Sequence, residues 1–190
     1  RGMTAYMLPI GSMSTSTAEI VVCNSSSRRY SLWSRHNDRD ETIVYKLITK
    51  ILFLFDAETV HRFSLNMLSL LHRLGLIRLF VGKPVFAPVE VMGIRFPNAV
   101  GLAAGLDKDA RHIDALAACG FGFIEVGTVT PLAQAGNDRP RLFRLEHDQA
   151  IINRMGFNND GVDAFVKNVK KHRSSCVIGL NIGKNKLTPL

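Results

Sequence analysis

Three short apolar segments, at residues 99–102, 123–130 and 176–183, alternate with helix-like stretches at 110–119 and 161–172. That alternation restricts the fold more than any other feature of the chain. A helical crossover returns the chain to start a strand parallel to the one before it, whereas a tight turn joins only antiparallel neighbours. The order therefore predicts a parallel sheet. Ahead of it, "VEVMGIRF" at residues 89–96 predicts two strands about a Met-Gly turn. "GNDRPRLFRLEHDQAIIN" at 136–153 predicts a long loop and hairpin inside the second crossover.

Glycine spacing separates the parallel-sheet architectures. A dinucleotide-binding turn needs G-x-G-x-x-G, which neither "GLAAGL" nor "GFGFIE" supplies. A phosphate-cradling P-loop needs glycine directly before its lysine and Ser or Thr directly after it, but Asp107 and Asp109 flank Lys108. Polar residues instead gather where each strand ends: Asp107 and Lys108, then Thr128 and Thr130, then Asn181 and Lys184. A (β/α)8 TIM barrel builds its site at those carboxyl ends, so residues 83–190 read as the first three strands or so of a fold that takes about 250 residues.

Upstream, residues 41–82 change period. Val44, Leu47, Ile48, Ile51, Leu52 and Phe55 recur at helical spacing. Asp56 can cap a second helix, with Glu58 favourable in its first turn, and Val60, Phe63, Met67, Leu70, Leu71 and Leu74 form its stripe before Gly75 ends it. This amphipathic helical hairpin fits either a pair packed on a soluble domain or a patch lying in a lipid interface. Residues 1–40, rich in Ser, Thr, Arg and Asn, read as an irregular leader in which "SSSRRYSLWSR" has some transit-peptide character.

The 190 residues, 46% of them hydrophobic, suffice for a real core and exclude a disordered chain. A formal net charge of +8 suits nucleic acid or an anionic membrane surface. Cys23, Cys119 and Cys176 have no paired spacing, and His61, His72, His112, His147 and His172 no ligand spacing, so neither a disulfide framework nor a metal site is expected. The longest apolar run, "ILFLF" at 51–55, is far below the ~20 residues of a spanning helix.

Lys108 at a strand end offers a fixed cation to a planar anion, while Ala103, Ala104 and Gly105 let an aromatic cofactor approach the backbone. The same lysine could instead pair with Asp107 or Asp109. In "INRMGFNN", Asn153, Asn158 and Asn159 surround Gly156 with amide donors and acceptors suited to a small molecule bearing carbonyl and carboxylate groups. An ordinary Asn/Gly turn would look the same.

In this order "GLAAGLDKD", "GFGFIEVGTVTP", "GNDRPRLFRL", "INRMGFNNDGVD" and "LNIGKNK" resemble the amino-terminal half of a class 2, quinone-dependent dihydroorotate dehydrogenase, over about residues 43–190. The resemblance implies oxidation of (S)-dihydroorotate to orotate in pyrimidine synthesis, with FMN as cofactor and a membrane quinone, ubiquinone or menaquinone, as acceptor. It implies that Ala104, Gly105, Leu106, Asp107, Lys108, Thr128 and Asn181 line the FMN. Lys108 and Asn153, with Arg154, Met155, Gly156 and Phe157, would meet the substrate, and His61 and Arg144 would border a quinone tunnel. Residues 41–82 would contact a membrane, placing the protein peripherally on the cytoplasmic face of a bacterial inner membrane or on a mitochondrial inner membrane. No metal and no nucleic acid are implied.

The family's general base, a serine in a motif like "NxSSPNTPG" after the fourth strand, is not found before Leu190. No catalytic base can be named within the chain, which reads as a fragment expected to be inactive and poorly folded alone, with a sheet edge uncovered. Two alternatives are a flavin-dependent tRNA dihydrouridine synthase, favoured by the charge, and a non-catalytic membrane-peripheral remnant.

Overall fold

The computed structural model describes residues 19–21, 38–148 and 150–189. Its elements run β1 (Glu19–Val21), α1 (Asp38–Phe53), α2 (Ala57–Arg73), α3 (Ile77–Phe80), β2 (Val89–Val91), β3 (Ile94–Phe96), β4 (Gly101–Leu102), α4 (Ile113–Ala117), β5 (Phe123–Val129), β6 (Leu142–Leu145), β7 (Ala150–Asn153), α5 (Val162–Val169) and β8 (Val177–Ile182).

The expected parallel sheet forms in the order β4-β5-β8, with Gly101 opposite Phe123 and Ile124 opposite Ile178. β5 is its centre. Ile124, Val126 and Val129 of β5 are buried against Ile113 and Leu116 of α4, Phe165 of α5 and Leu65 of α2. The register shifts between Val126 and Val129. Such a bulge re-aims side chains near the end of a strand. Thr128 there meets Asn181 across the sheet, Oγ1 donating to Oδ1 at 2.5 Å.

Two smaller sheets are antiparallel. β2 and β3 pair about Met92 and Gly93, both at positive φ (52° and 75°), as a two-residue primed turn requires. The hairpin β6–β7 carries a third strand, β1, from a leader that was expected to lack regular structure. The helix from Asp38 likewise starts before the expected boundary at residue 41. The rest of the leader, with Cys23 and the Ser- and Arg-rich stretch, lies outside the described residues.

Asp56 caps α2 as expected, accepting from the Thr59 amide at 2.8 Å, and Leu74 and Gly75 end it. The face it buries is another matter. Glu58 and Leu65 turn inward, with Leu68 packed on the core and Ser69 bonded to His112 at 2.7 Å. The apolar stripe of Phe63, Met67, Leu70 and Leu74 lies on the opposite side of the helix and is exposed. On α1, Leu47, Ile48 and Ile51 are likewise uncovered. Among the described residues no helix is long and apolar enough to cross a membrane.

Glycines allow the close approaches in the sheet. A Cβ on Gly122 would lie 2.1 Å from the Asn98 carbonyl oxygen, whereas one on Gly75 (φ +72°) would meet nothing within 4 Å. Gly122→Ala should therefore cost about 3 kcal/mol, the upper range for overpacking. Gly75→Ala should cost only about 1 kcal/mol of backbone strain. Urea unfolding of the two variants checks the order, and equal losses would contradict it.

Candidate functional site

The carboxyl ends of β4, β5 and β8 converge. Gly105 N–H donates to the Gly127 carbonyl at 2.8 Å and Gly127 N–H to the Asp107 carbonyl at 3.1 Å, so the loop after β4 is stitched to β5. Gly105 sits at φ +108° with open space where a side chain would be, beside half-buried Ala104. Asn181 completes the row, bonding Thr128 on one side and donating to Glu125 Oε1 at 2.9 Å on the other.

Asp107 is buried, and its carboxylate accepts the backbone amides of Arg111 at 2.9 Å and His112 at 2.7 Å. Its side chain is thereby committed to shaping the turn into α4. Lys108 pairs with neither Asp107 nor Asp109. Its Nζ donates to the Gly105 carbonyl at 2.9 Å and to Met155 Sδ at 3.5 Å. Burial lowers its pKa, against the opposing pull of Glu58.

That bond brings the second predicted loop to the first. Asn153 Oδ1 accepts the Met155 amide at 3.0 Å, Met155 is buried, and Phe157 stays half exposed at positive φ. Asn159 is a structural tie: its side chain bonds Thr130, the Gly161 amide at 2.9 Å and the Phe157 carbonyl at 2.7 Å. Asn158 is different. Its Oδ1 is buried and, among the described residues, is the one such side-chain N or O atom without a hydrogen-bond partner.

Asn158 lines a cavity of about 290 Å³ between α2 and these loops, shared with His61, Leu106, Lys108, Arg141 and Met155. Burial, and then the Lys108 charge, lower the His61 pKa, which favours the neutral ring. Arg144 does not line this cavity. It lies at the α1–α2 turn, its Nη1 donating to the Phe55 carbonyl at 2.8 Å and its guanidinium 4.5 Å over the Phe53 ring. A larger cavity, about 690 Å³, opens at the amino ends of the strands beside Asn98 and Asp114. Asn98 Nδ2 there donates to the Val85 and Gly120 carbonyls, and Asp114 Oδ1 accepts the Arg173 and Ser174 amides. The smaller cavity, with its orphaned acceptor and half-buried lysine, is the one equipped for a ligand.

Arg139 and Arg141, which sequence reasoning did not single out, close this cavity together with Glu58. Arg141 of the loop before β6 reaches Glu58 of α2 through Nε at 2.9 Å and Nη2 at 2.8 Å, and both are buried. Arg139 adds a bond to Glu58 Oε1 at 2.8 Å. The hydrogen bond from Arg141, helped by both arginine charges, holds the Glu58 carboxyl below its ordinary 4.5. Lowering favours the ionised form in the folded state. Its stabilisation is therefore present above pH 4.5 and fades as pH falls from there through the folded value. At neutral pH Glu58→Gln should cost about 3 kcal/mol, the lower range for breaking a buried pair, and should flatten the acid limb of a plot of urea midpoint against pH. A variant as acid-sensitive as the parent would contradict this.

Residues 86–189 match the family model described as dihydroorotate dehydrogenase. The chain is 57% identical over 148 residues to a protein of Chromobacterium violaceum named dihydroorotate dehydrogenase (quinone), covering 78% of this chain and 43% of that protein. It is 61% identical over 146 residues to one of the same name from Idiomarina loihiensis, covering 77% and 44%. A crystal structure of ligand-free DHODH from Eimeria tenella superposes with a TM-score of 0.57 at 39% identity, over 67% of this chain and 38% of that one. The chain thus spans less than half the length of the relatives it matches. With the family model covering more than half of it, the chain belongs to the dihydroorotate dehydrogenase family.

Proposed function

We propose that this chain carries the flavin- and substrate-facing first strands of a (β/α)8 barrel that oxidises (S)-dihydroorotate to orotate, with FMN as cofactor and a quinone as acceptor, in pyrimidine synthesis. One observation carries the reading. The single cation of Lys108 bridges the small-residue loop at Gly105 and the Asn153–Phe157 loop at Met155. A ligand reaching that lysine meets both loops at once.

The residues present fit the ring of a flavin: Ala104 and Gly105 leave space beside the backbone, and Thr128 and Asn181 offer a hydroxyl and an amide already oriented against each other. FMN, when bound, accepts the hydride that the protein itself has no group to take. What the chain contributes is recognition and placement. Lys108 attracts an anionic planar substrate, and its partly buried setting strengthens that attraction over what water would allow. Asn153 and the unpaired Asn158 acceptor address the amide-like edge of a diacyl-urea ring. Met155 and Phe157 limit water around the reacting carbon.

His61, on the α2 side of the same cavity, supports a path by which a quinone reaches the flavin between α2 and the sheet. Arg144 sits farther out, toward the uncovered stripes of α1 and α2. Those stripes, flanked by Lys46, Lys50, Arg62 and Arg73, suit the interface of an anionic bilayer. They support, as part of this reading, a peripheral place on the cytoplasmic face of a bacterial inner membrane or on a mitochondrial inner membrane.

Flavin fluorescence of the FMN-loaded protein, titrated with orotate, tests this. Removing the half-buried cation in Lys108→Ala should weaken orotate binding about 10- to 100-fold, as for loss of a charged hydrogen bond. Binding should also decline with rising pH sooner than an unperturbed lysine would dictate, since burial discharges Lys108 earlier. Orotate without effect on the flavin, or unchanged binding by Lys108→Ala, would refute the assignment.

A further inference from the structure

Arg141 does more than neutralise Glu58. With Nε and Nη2 on the carboxylate, its Nη1 donates to two carbonyls of its own loop, Ala135 at 2.6 Å and Asn137 at 2.9 Å. Those carbonyls flank Gly136, which sits at φ +80°. One guanidinium therefore shapes the 135–137 turn from inside while it is itself held by α2.

The turn in turn holds the substrate loop. Asn137 donates its backbone N–H to the Met155 carbonyl at 3.0 Å and its Nδ2 to the Arg154 carbonyl at 2.8 Å. Gln134 Nε2 donates to the carbonyls of Gly156 at 3.4 Å and Phe157 at 3.0 Å. Arg154 N–H returns a bond to the Arg141 carbonyl at 2.9 Å. Four consecutive carbonyls, from residue 154 to 157, are thus gripped by one segment. The contact is also too close for slippage: a Cβ on Gly136 would lie 2.2 Å from the Met155 carbonyl oxygen, and one on Gly156 would lie 2.9 Å from Asn137 N.

We infer that the buried Glu58–Arg141 pair is a positioning device for the 153–157 loop, through which the seating of α2 sets where Met155 meets Lys108. The functional meaning of that loop rests on the dehydrogenase reading; the relay itself does not. Glu58 and Arg141 are positioning residues, since they reach the loop through the 134–137 turn. α2 presents its uncovered apolar stripe on the side opposite Glu58, so whatever seats that stripe bears on the substrate loop through this pair.

Hydrogen exchange of the ligand-free protein tests the relay amide by amide. Arg141→Lys keeps the charge and loses the fork, Glu58→Gln keeps the shape and loses the charge, and Glu58→Asp is the conservative control. In Arg141→Lys and Glu58→Gln the Asn137 and Arg154 amides should exchange about 10-fold faster through local opening, with Glu58→Asp closer to the parent. The Gly183 amide, bonded to the Val129 carbonyl at 2.9 Å in the sheet, reports the overall loss of stability and should speed up less than those two. Should Arg141→Lys not fold, the two Glu58 variants make the same comparison. Unchanged exchange at Asn137 and Arg154, or an equal rise at Gly183, would overturn the inference, the latter because the pair would then serve stability alone. Orotate titration of the same FMN-loaded variants should show binding weakened about 10-fold, as one hydrogen bond's worth of misplacement implies, with FMN affinity kept. If the parent itself ignores orotate, the dehydrogenase reading fails while the exchange rates still decide the relay.

Discussion

Glu58 and Arg141 remove two opposite charges from water at the seam between α2 and the sheet. Such a pair is tolerable only when its geometry is good and its remaining donors are used, and both conditions hold here. The orientation of α2 follows. Once Glu58 must face Arg141, Leu65 and Leu68 enter the core and Ser69 reaches His112, because all lie on one helical face. The richer apolar stripe is consequently turned outward. Hydrophobicity alone would have chosen the opposite face, but turning that face inward would leave Arg141 buried without its partner and take Leu65 and Leu68 out of the core.

The site is a consequence of strand direction. Parallel pairing aligns the carboxyl ends of β4, β5 and β8, and their loops must exchange backbone hydrogen bonds where the ladder stops. Gly105, Gly127 and Asp107 do so. This fixes the lysine that follows although no acidic side chain among the described residues forms an ion pair with it. The hairpin β6–β7 is then laid over the strand ends, and its return segment delivers Met155 to that lysine. The packed face of the sheet is apolar and carries no chemistry, whereas the face bearing Glu125, Thr128 and Asn181 is polar and joined by hydrogen bonds.

Much of this was legible from local pattern. The alternation of apolar and helical segments placed β4, α4, β5, α5 and β8, and Asp56 announced its cap, because these depend on neighbours within a few residues. Lys108 and the Asn153–Phe157 loop were visible as polar residues among glycines. Glu58 was legible only as a favourable helix-start charge, and Arg141 not at all. Their bond joins positions 83 residues apart, and no periodicity encodes such a meeting. Asp107 and Asn159 looked like ligand contacts for a similar reason. Their carboxylate and amide are taken up by backbone amides whose position only folding supplies.

What the sequence by itself determined is the order of elements, the parallel sense of the central sheet and the residue types available at its carboxyl end. Those follow from short-range sterics and from the period of the apolar residues. The tertiary structure decided which face of α2 is covered, which acidic and amide groups are spent on the backbone, and which polar atoms, Lys108 Nζ and Asn158 Oδ1 among them, are left for something else to meet. Hydrogen bonds are saturable and directional, so a polar residue is free for function only once every nearer partner has been counted, and those partners come from distant parts of the chain.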